Sequence, residues 1–482
     1  MIFPEPAFLY FFLPILLFIY TIIPKSGKNG LLLLFSLFFY AWGEGAYIVI
    51  MVFSILWNFQ FGKKIDQQVN GSSAANNTAK RTLALAVAGN LALLGFFKYT
   101  AFFVHQVNDL LLPNSVQLTE PTLHLPIGIS FFTFQAISYI VDVYRRQIPA
   151  QKNLLNLGLY ISFFPQLIAG PIVRYQTIAA EIENRTVSLG LAALGVRIFI
   201  LGLAKKVLLA NTFAYAADQI FALPSDSLST SLAWLAIVCY ALQIYYDFSG
   251  YSDMAIGLGK MFGFNFPENF RTPYAARSMR DFWRRWHITL STWFRDYLYI
   301  PLGGNRGSGL GTSFNLIVVF FLCGLWHGAG INFILWGLYH GVFLALERLP
   351  VLQGFVRVPR LIQHVYVIFI FLMGWVLFRV ESLELIMNFY QTLFGFGAEP
   401  SVLYPVARYM QNDLMIALII GVVCSAPVGA WAKCKLASLS NGEGNLPRVV
   451  LIVFDFVLLG LLLLCMIRIA AQQYSPFIYY RF

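Results

Sequence analysis

The chain has 482 residues, 59% of them hydrophobic and only 11% charged, where a soluble domain carries roughly a quarter charged residues. This balance excludes a soluble globular enzyme and predicts an all-α integral membrane protein of many passes. The net charge of +11 does not argue for nucleic acid. Membrane proteins gather Lys and Arg in cytoplasmic loops, so the expected anionic partners are the phosphates of membrane lipids or of a substrate.

The first apolar run, Ala7–Ile23, follows a start without basic residues and ends at Pro24-Lys25 with no small-residue cleavage site. It reads as a retained span and not a signal peptide. Further apolar runs lie near 30–60 (a tight pair), 83–104, 126–143, 153–170, 189–222 (two short passes), 230–247, 249–264, 312–328, 331–349, 362–379, 412–432 and 449–470. They predict about a dozen spans. Several are shorter than the ~20 residues of a straight crossing, so short re-entrant and interfacial helices are expected as well. Lys25, Lys28, the basic pairs Lys63-Lys64 and Lys80-Arg81, Arg145-Arg146 and Lys152 belong on the cytoplasmic side, whereas 105–124 and 224–230 contain no Lys or Arg and belong outside. The polar tract Gln67–Thr78 reads as a cytoplasmic loop. Five cysteines (Cys239, Cys323, Cys424, Cys434, Cys465) are odd in number and irregularly spaced, so neither a disulfide framework nor a zinc site follows from them. No internal repeat is visible, and residues 1–482 read as a single polytopic domain.

Asp247 and Asp253 stand between the runs 230–247 and 249–264. Their spacing puts them on different faces of one helix, against a shared metal or a carboxylate dyad. Each is expected to hold an Arg or a hydroxyl in a supporting role.

Ser278–Tyr299 (SMRDFWRRWHITLSTWFRDYLY) is the strongest local pattern. As a helix it collects Phe282, Trp283, Trp286, His287, Leu290, Trp293, Phe294 and Tyr297 on one face, with Arg284, Arg285, Ser291, Thr292, Arg295 and Asp296 mostly opposite. A basic amphipathic helix with three Trp predicts an element lying in the cytoplasmic interface. Anchoring alone explains the Trp and Arg residues, but not His287 on the apolar stripe. Arg277, Arg280, Arg284, Arg285 and Arg295 form a cationic rim suited to the phosphates of coenzyme A or of a carrier-protein pantetheine.

His327 lies between the apolar runs 312–326 and 331–349. A charged ring there costs on the order of a few kcal/mol, which makes it a functional candidate, the alternative being a neutral ring bonded between packed helices. Cys323, one turn earlier, admits a Cys–His pair or simple small-residue packing. His340 falls on another helix face and reads as structural. A desolvated, neutral imidazole can accept the proton of a hydroxyl as that oxygen attacks an activated acyl carbon, chemistry that needs neither metal nor cysteine.

At this point the residues resemble a family. Arg280–Ser291 (RDFWRRWHITLS) with Arg295–Arg306 (RDYLYIPLGGNR) is similar to the signature of bacterial membrane-bound O-acyltransferases. Leu325-Trp326-His327-Gly328-Ala329 and Trp336–Gly341 resemble that family's histidine segment, and Phe163–Ile172, Tyr246–Ala255 and the ending Ser475–Phe482 extend the resemblance over nearly the whole chain. The nearest branch is similar to membrane subunits that O-acetylate alginate, with relatives that serve peptidoglycan and other surface glycans. The resemblance implies a ring of helices around a central funnel or tunnel, with the catalytic-histidine helices at 312–349. It makes His327 the catalytic histidine and places His287 at the family's other signature position. Trp286, Arg284, Arg285, Arg295 and Trp326 become candidate substrate-binding residues. The implied donor is acetyl-coenzyme A or another acyl thioester, with no permanently bound cofactor. The implied acceptor is an exported polysaccharide, reached with a periplasmic acetyltransferase partner at the bacterial inner membrane. A transporter or flippase with His327 as proton-coupling residue fits the hydrophobicity equally well, but predicts a repeat symmetry that is not seen.

Overall fold

The computed structural model describes residues 1–71, 75–111, 118–349, 358–399, 403–428, 448–471, 474 and 476. Cys434 and most of Ser475–Phe482 lie outside the described residues, as does the centre of the expected 67–78 loop. On either side of that centre the chain is helical, in Ile48–Val69 and Ala75–Leu111. Among the described residues there is no strand, only one isolated bridge between Ser229 and Ala398. This is what a bilayer demands of a non-barrel chain, because each helix satisfies its own backbone polar groups where no water can.

Six helical segments among the described residues are long and apolar enough to cross a membrane: Lys25–Val69, Asn77–Asp109, Thr230–Met261, Gly309–His327, Arg360–Arg379 and Val449–Ala470. Four shorter apolar helices join them, Ala7–Ile22, Ile129–Tyr144, Ile331–Leu346 and Asn412–Ser425. The described spans are therefore fewer than the expected dozen. One reason is Thr230–Met261, a continuous helix of 32 residues where hydropathy suggested two spans. Asp247 sits in its middle without breaking it, because the charge is paired across to a neighbouring element.

The chain packs as two compact units, residues 1–196 with 255–267 and residues 197–254 with 268–482. The first unit is centred on buried phenylalanines. Phe164 meets Phe12 and Phe39 with ring centroids 5.3 and 5.4 Å apart. Its helix Ile129–Tyr144 is buried on nearly every side, Gln135 and Asp142 included. Asn58 and Asn90 exchange amide hydrogen bonds of 3.0 and 2.9 Å between its helices, a polar contact of the kind that joins helices where lipid supplies no hydrophobic drive.

The second unit contains the histidine helices. Gly309–His327 and Ile331–Leu346 form a hairpin whose backbones touch. A Cβ on Gly324 would stand 2.3 Å from the Phe333 carbonyl oxygen, and one on Gly337 would stand 2.3 Å from that of Phe320. Only glycine fits at these two positions, and the contact fixes His327 at the hairpin's turn. Elsewhere in this unit the turns Lys205–Ala210 are wound as a π-helix. This local widening presents two consecutive lysines to the long helix.

The expected interfacial helix 278–299 is not one helix. It is divided into Met279–Trp283 and Ile288–Phe294, followed by a π-turn at Arg295–Tyr299. Between the first two, His287 adopts φ 43° and ψ 56°. The cause is upstream: Arg271 N–H bonds the Arg285 carbonyl and Ile288 N–H bonds the Asn269 carbonyl, each at 2.9 Å. These bonds bind the segment against residues 269–271 and reverse the chain at His287.

Candidate active site

Asn269 organises the first histidine. Its Oδ1 accepts the Thr289 N–H at 3.2 Å, the Thr289 hydroxyl at 2.8 Å and His287 Nδ1 at 3.0 Å. An atom that accepts a backbone N–H is an oxygen, so the His287 nitrogen facing it must carry the hydrogen. In the neutral ring, Nε2 is then the nitrogen with the lone pair. Phe248 packs edge-on to this imidazole with centroids 4.5 Å apart. The ring is 1% exposed. Burial, reinforced by the charge His327 would carry, holds the His287 pKa well below the ordinary histidine value. Forty residues of chain, including the π-turn Arg295–Tyr299, lie between His287 and His327.

His327 ends its helix and is 9% exposed. Three rings meet it edge to face: Trp326 at 4.9 Å, Trp336 at 5.0 Å and Phe378 at 5.2 Å between centroids. His340, expected to be remote, stands on the other flank of Trp336, 5.1 Å from it and 5.0 Å from Trp283. A backbone cap seats Trp283 there. Glu347, just beyond the Ile331–Leu346 helix, accepts the Met279 and Arg280 N–H groups at 2.6 and 3.0 Å, while Ser278 Oγ accepts from Asp281 N–H at 3.0 Å. Trp283 Nε1, Trp336 Nε1 and His340 Nδ1 are buried with no hydrogen-bond partner among the described residues. Each such atom in a native core calls for an explanation, a bound water or a functional role among them.

The candidate substrate-binding residues divide. Trp326 touches His327, and Trp286 is buried against Phe270 and Trp375, with centroids 5.1 Å apart in both cases. Arg284 and Arg295 are exposed and Arg285 is half-buried. Arg285 pairs with Asp281 at 2.9 Å and Arg295 with Asp296 at 2.6 Å. Asp247 and Asp253 hold cations, as expected of them, but these are lysines and not arginines. Lys206 lies 2.6 Å from Asp247 with both side chains 1% exposed, and Lys205 lies 2.6 Å from Asp253 with both partly exposed. Lys206 also donates to the Pro476 carbonyl. Cys323 is a buried free thiol in the wall of the hairpin. Trp283 and Trp336 carried no site role in the sequence, and Asn269 and the lysine pair did not stand out there. A lone Asn in the Pro267–Phe270 stretch and two adjacent Lys inside an apolar run were the signals available.

Chemically, the arrangement offers two buried imidazoles, one of fixed tautomer, in an aromatic enclosure with indole N–H groups to spare. It suits proton transfer from a hydroxyl and hydrogen bonding to a carbonyl oxygen.

Residues 117–380 match the model of the membrane-bound O-acyltransferase family. The chain is 40% identical to the "Probable alginate O-acetylase AlgI" of Pseudomonas putida over 100% of both chains. It is 37% identical to the protein of the same name from Azotobacter vinelandii, again over 100% of both. It is 39% identical to the "Peptidoglycan O-acetyltransferase" of Helicobacter pylori over 80% of this chain and 78% of the relative.

Proposed function

The chain belongs to the membrane-bound O-acyltransferase family and is a membrane O-acyltransferase, and on that premise we propose that it moves acetyl groups from a cytoplasmic thioester onto a polysaccharide on the far side of a bacterial inner membrane. Acetyl-coenzyme A is the proposed donor, with an acyl carrier protein as the variant. His327 is the general base. As an acceptor hydroxyl attacks the thioester carbonyl carbon, the imidazole takes its proton. The new C–O bond forms, the C–S bond breaks, and the proton returns to the departing thiolate. The Trp336 N–H donates to the carbonyl oxygen as charge builds on it. His287, held with Nδ1–H toward Asn269, keeps the neighbouring position neutral and ready to accept or relay a proton through Nε2.

One observation supports the reading: His327, at the end of an apolar helix, is walled by Trp326, Trp336 and Phe378, and the Trp336 N–H beside it has no partner among the described residues. The acceptor is an exported polysaccharide such as alginate, with a periplasmic acetyltransferase partner completing the transfer. The similarity to a peptidoglycan O-acetyltransferase makes peptidoglycan the second acceptor to test. Trp286, Trp326, Arg284, Arg285 and Arg295 line the donor's approach in this scheme, and Asp247 and Asp253 brace the helices.

The test is acetyl transfer from radiolabelled acetyl-coenzyme A by the full-length protein in liposomes, with alginate or peptidoglycan fragments and the partner supplied. His327→Ala is expected to lower transfer by about 10²–10⁴ with the protein still inserted and folded. Full transfer by that variant would remove His327 from the chemistry.

A further inference from the structure

The first unit contains a cavity of about 130 Å³ walled by Lys25, Lys28, Asn29, Glu183 and Arg185 among others. It is several times larger than the roughly 10–15 Å³ a single water needs. Three cations and one carboxylate converge on it. The neighbouring acid Glu181 is turned to Asn265, its two oxygens accepting Asn265 Nδ2 at 2.7 Å and the Asn265 N–H at 3.0 Å.

Arg185 is built into this wall. Its Nε donates to Tyr20 Oη at 2.9 Å and to the Phe262 carbonyl at 3.1 Å, and its Nη1 donates to Asn29 Oδ1 at 2.5 Å. The guanidinium lies 4.6 Å from the Phe264 ring centroid. The groups that hold it are themselves tied down: Tyr20 Oη donates to the Phe262 carbonyl at 2.8 Å, and Asn29 Nδ2 donates to the Ile182 carbonyl at 2.8 Å. Two of the three guanidinium nitrogens are thus spoken for, while Nη2 is buried and has no acceptor among the described residues. Lys28 Nζ sits 4.4 Å from the centroid of the Tyr20 ring, within electrostatic range of both Arg185 and Lys25. A guanidinium fixed by neutral acceptors, with two ammonium groups on the same cavity wall, is a recognition set for a tetrahedral anion.

We infer that this cavity is a binding site for a phosphate group, separate from the histidine cluster, that takes either the headgroup phosphate of an anionic phospholipid or a phosphate of a soluble nucleotide. Lys25 and Lys28 belong to the basic set that the positive-inside rule assigns to the cytoplasmic face, where both sources are found. The proposal stands apart from acyl transfer and is read by binding alone.

The experiment uses the full-length protein in a neutral detergent, titrated with inorganic phosphate, short-chain phosphatidylglycerol and coenzyme A. Occupancy is read by native mass spectrometry for the wild type, Lys25→Gln/Lys28→Gln and Arg185→Gln. The lysine pair leaves the Arg185 network intact and so protects the test against misfolding. Loss of charge-assisted contacts should weaken phosphate-group binding about tenfold or more in the double variant. Weakened phosphatidylglycerol binding with unchanged coenzyme A identifies the lipid as the source, and weakened coenzyme A binding identifies the nucleotide. Absence of binding by the wild type, or affinities for all three probes unchanged in both variants, overturns the site.

Discussion

Two places in the second unit bury ionisable side chains among apolar helices, and they settle the electrostatics in opposite ways. At the π-turn, Lys206 faces Asp247 at 2.6 Å and both are almost wholly buried, so two charges cancel each other. At the hairpin, His327 and His287 are enclosed by aromatic rings, and His287 is fixed by a neutral amide. The first arrangement ties the π-turn to the long helix. The second has aromatic walls and a neutral amide in place of a counter-charge, and in the proposed reaction a proton taken from the acceptor hydroxyl is what would charge it. On the proposed function, the contrast divides scaffold from chemistry without reference to position in the sequence.

Breaking the ion pair should give the largest effect on stability. Lys206→Met strands a buried carboxylate and is expected to cost about 3–5 kcal/mol, whereas Lys206→Met with Asp247→Leu should recover most of the loss. Thermal unfolding of the single and double variants in detergent checks this. Next, Trp336→Phe keeps a ring against His327 but removes the indole N–H. Acetyl transfer should fall on the order of 10² at nearly unchanged melting temperature. Asn269→Ala leaves Thr289 N–H, the Thr289 hydroxyl and His287 Nδ1–H without their common acceptor. A loss of about 1–3 kcal/mol is expected, together with reduced transfer.

A pH titration sharpens the comparison further. His287 has a folded pKa below its unfolded value of about 6.5, so below that pH the unfolded chain binds the proton first. Its contribution to stability is therefore complete above about pH 6.5 and is lost as pH falls below it. Unfolding followed from pH 8 to pH 5 should show an acid slope that His287→Gln makes shallower. The smallest effect belongs to Lys205→Gln. Its pair with Asp253 is partly exposed and is worth about 1 kcal/mol or less.

Much of this contrast was written in the sequence, though unevenly. Apolar runs located the spans, because a bilayer leaves the backbone little choice but helix. They miscounted at Thr230–Met261, where Asp247 looked like a boundary and is in fact a paired charge in mid-helix. His327 and His287 were legible as rings set among apolar residues, where an ionisable group is expensive. The helical periodicity of 278–299 gave most of the buried face, Trp286 and His287 included, yet failed as a helix. The break comes from Asn269, a residue outside the window, through hydrogen bonds that no local pattern encodes. His340 was judged from its angle on its own helix. It stands one turn after Trp336 on the same helix, and because the chain turns at Gly328–Gly330 an angle counted along one uninterrupted helix from His327 does not apply. Arg284, Arg285 and Arg295 were singled out by charge. Their exposure, and the carboxylates that two of them hold, depend on a backbone that charge counting does not see.

The most direct measurement places the two regions side by side. His327→Gln and Lys206→Met are reconstituted in parallel, and melting temperature and labelled acetyl transfer per folded molecule are recorded for each. The account predicts that His327→Gln melts like the wild type and has lost transfer, while Lys206→Met melts early and its folded fraction still transfers acetyl groups. The opposite pattern, with His327→Gln active or Lys206→Met stable but inactive, would contradict the division between charges that hold the fold and rings that do the chemistry.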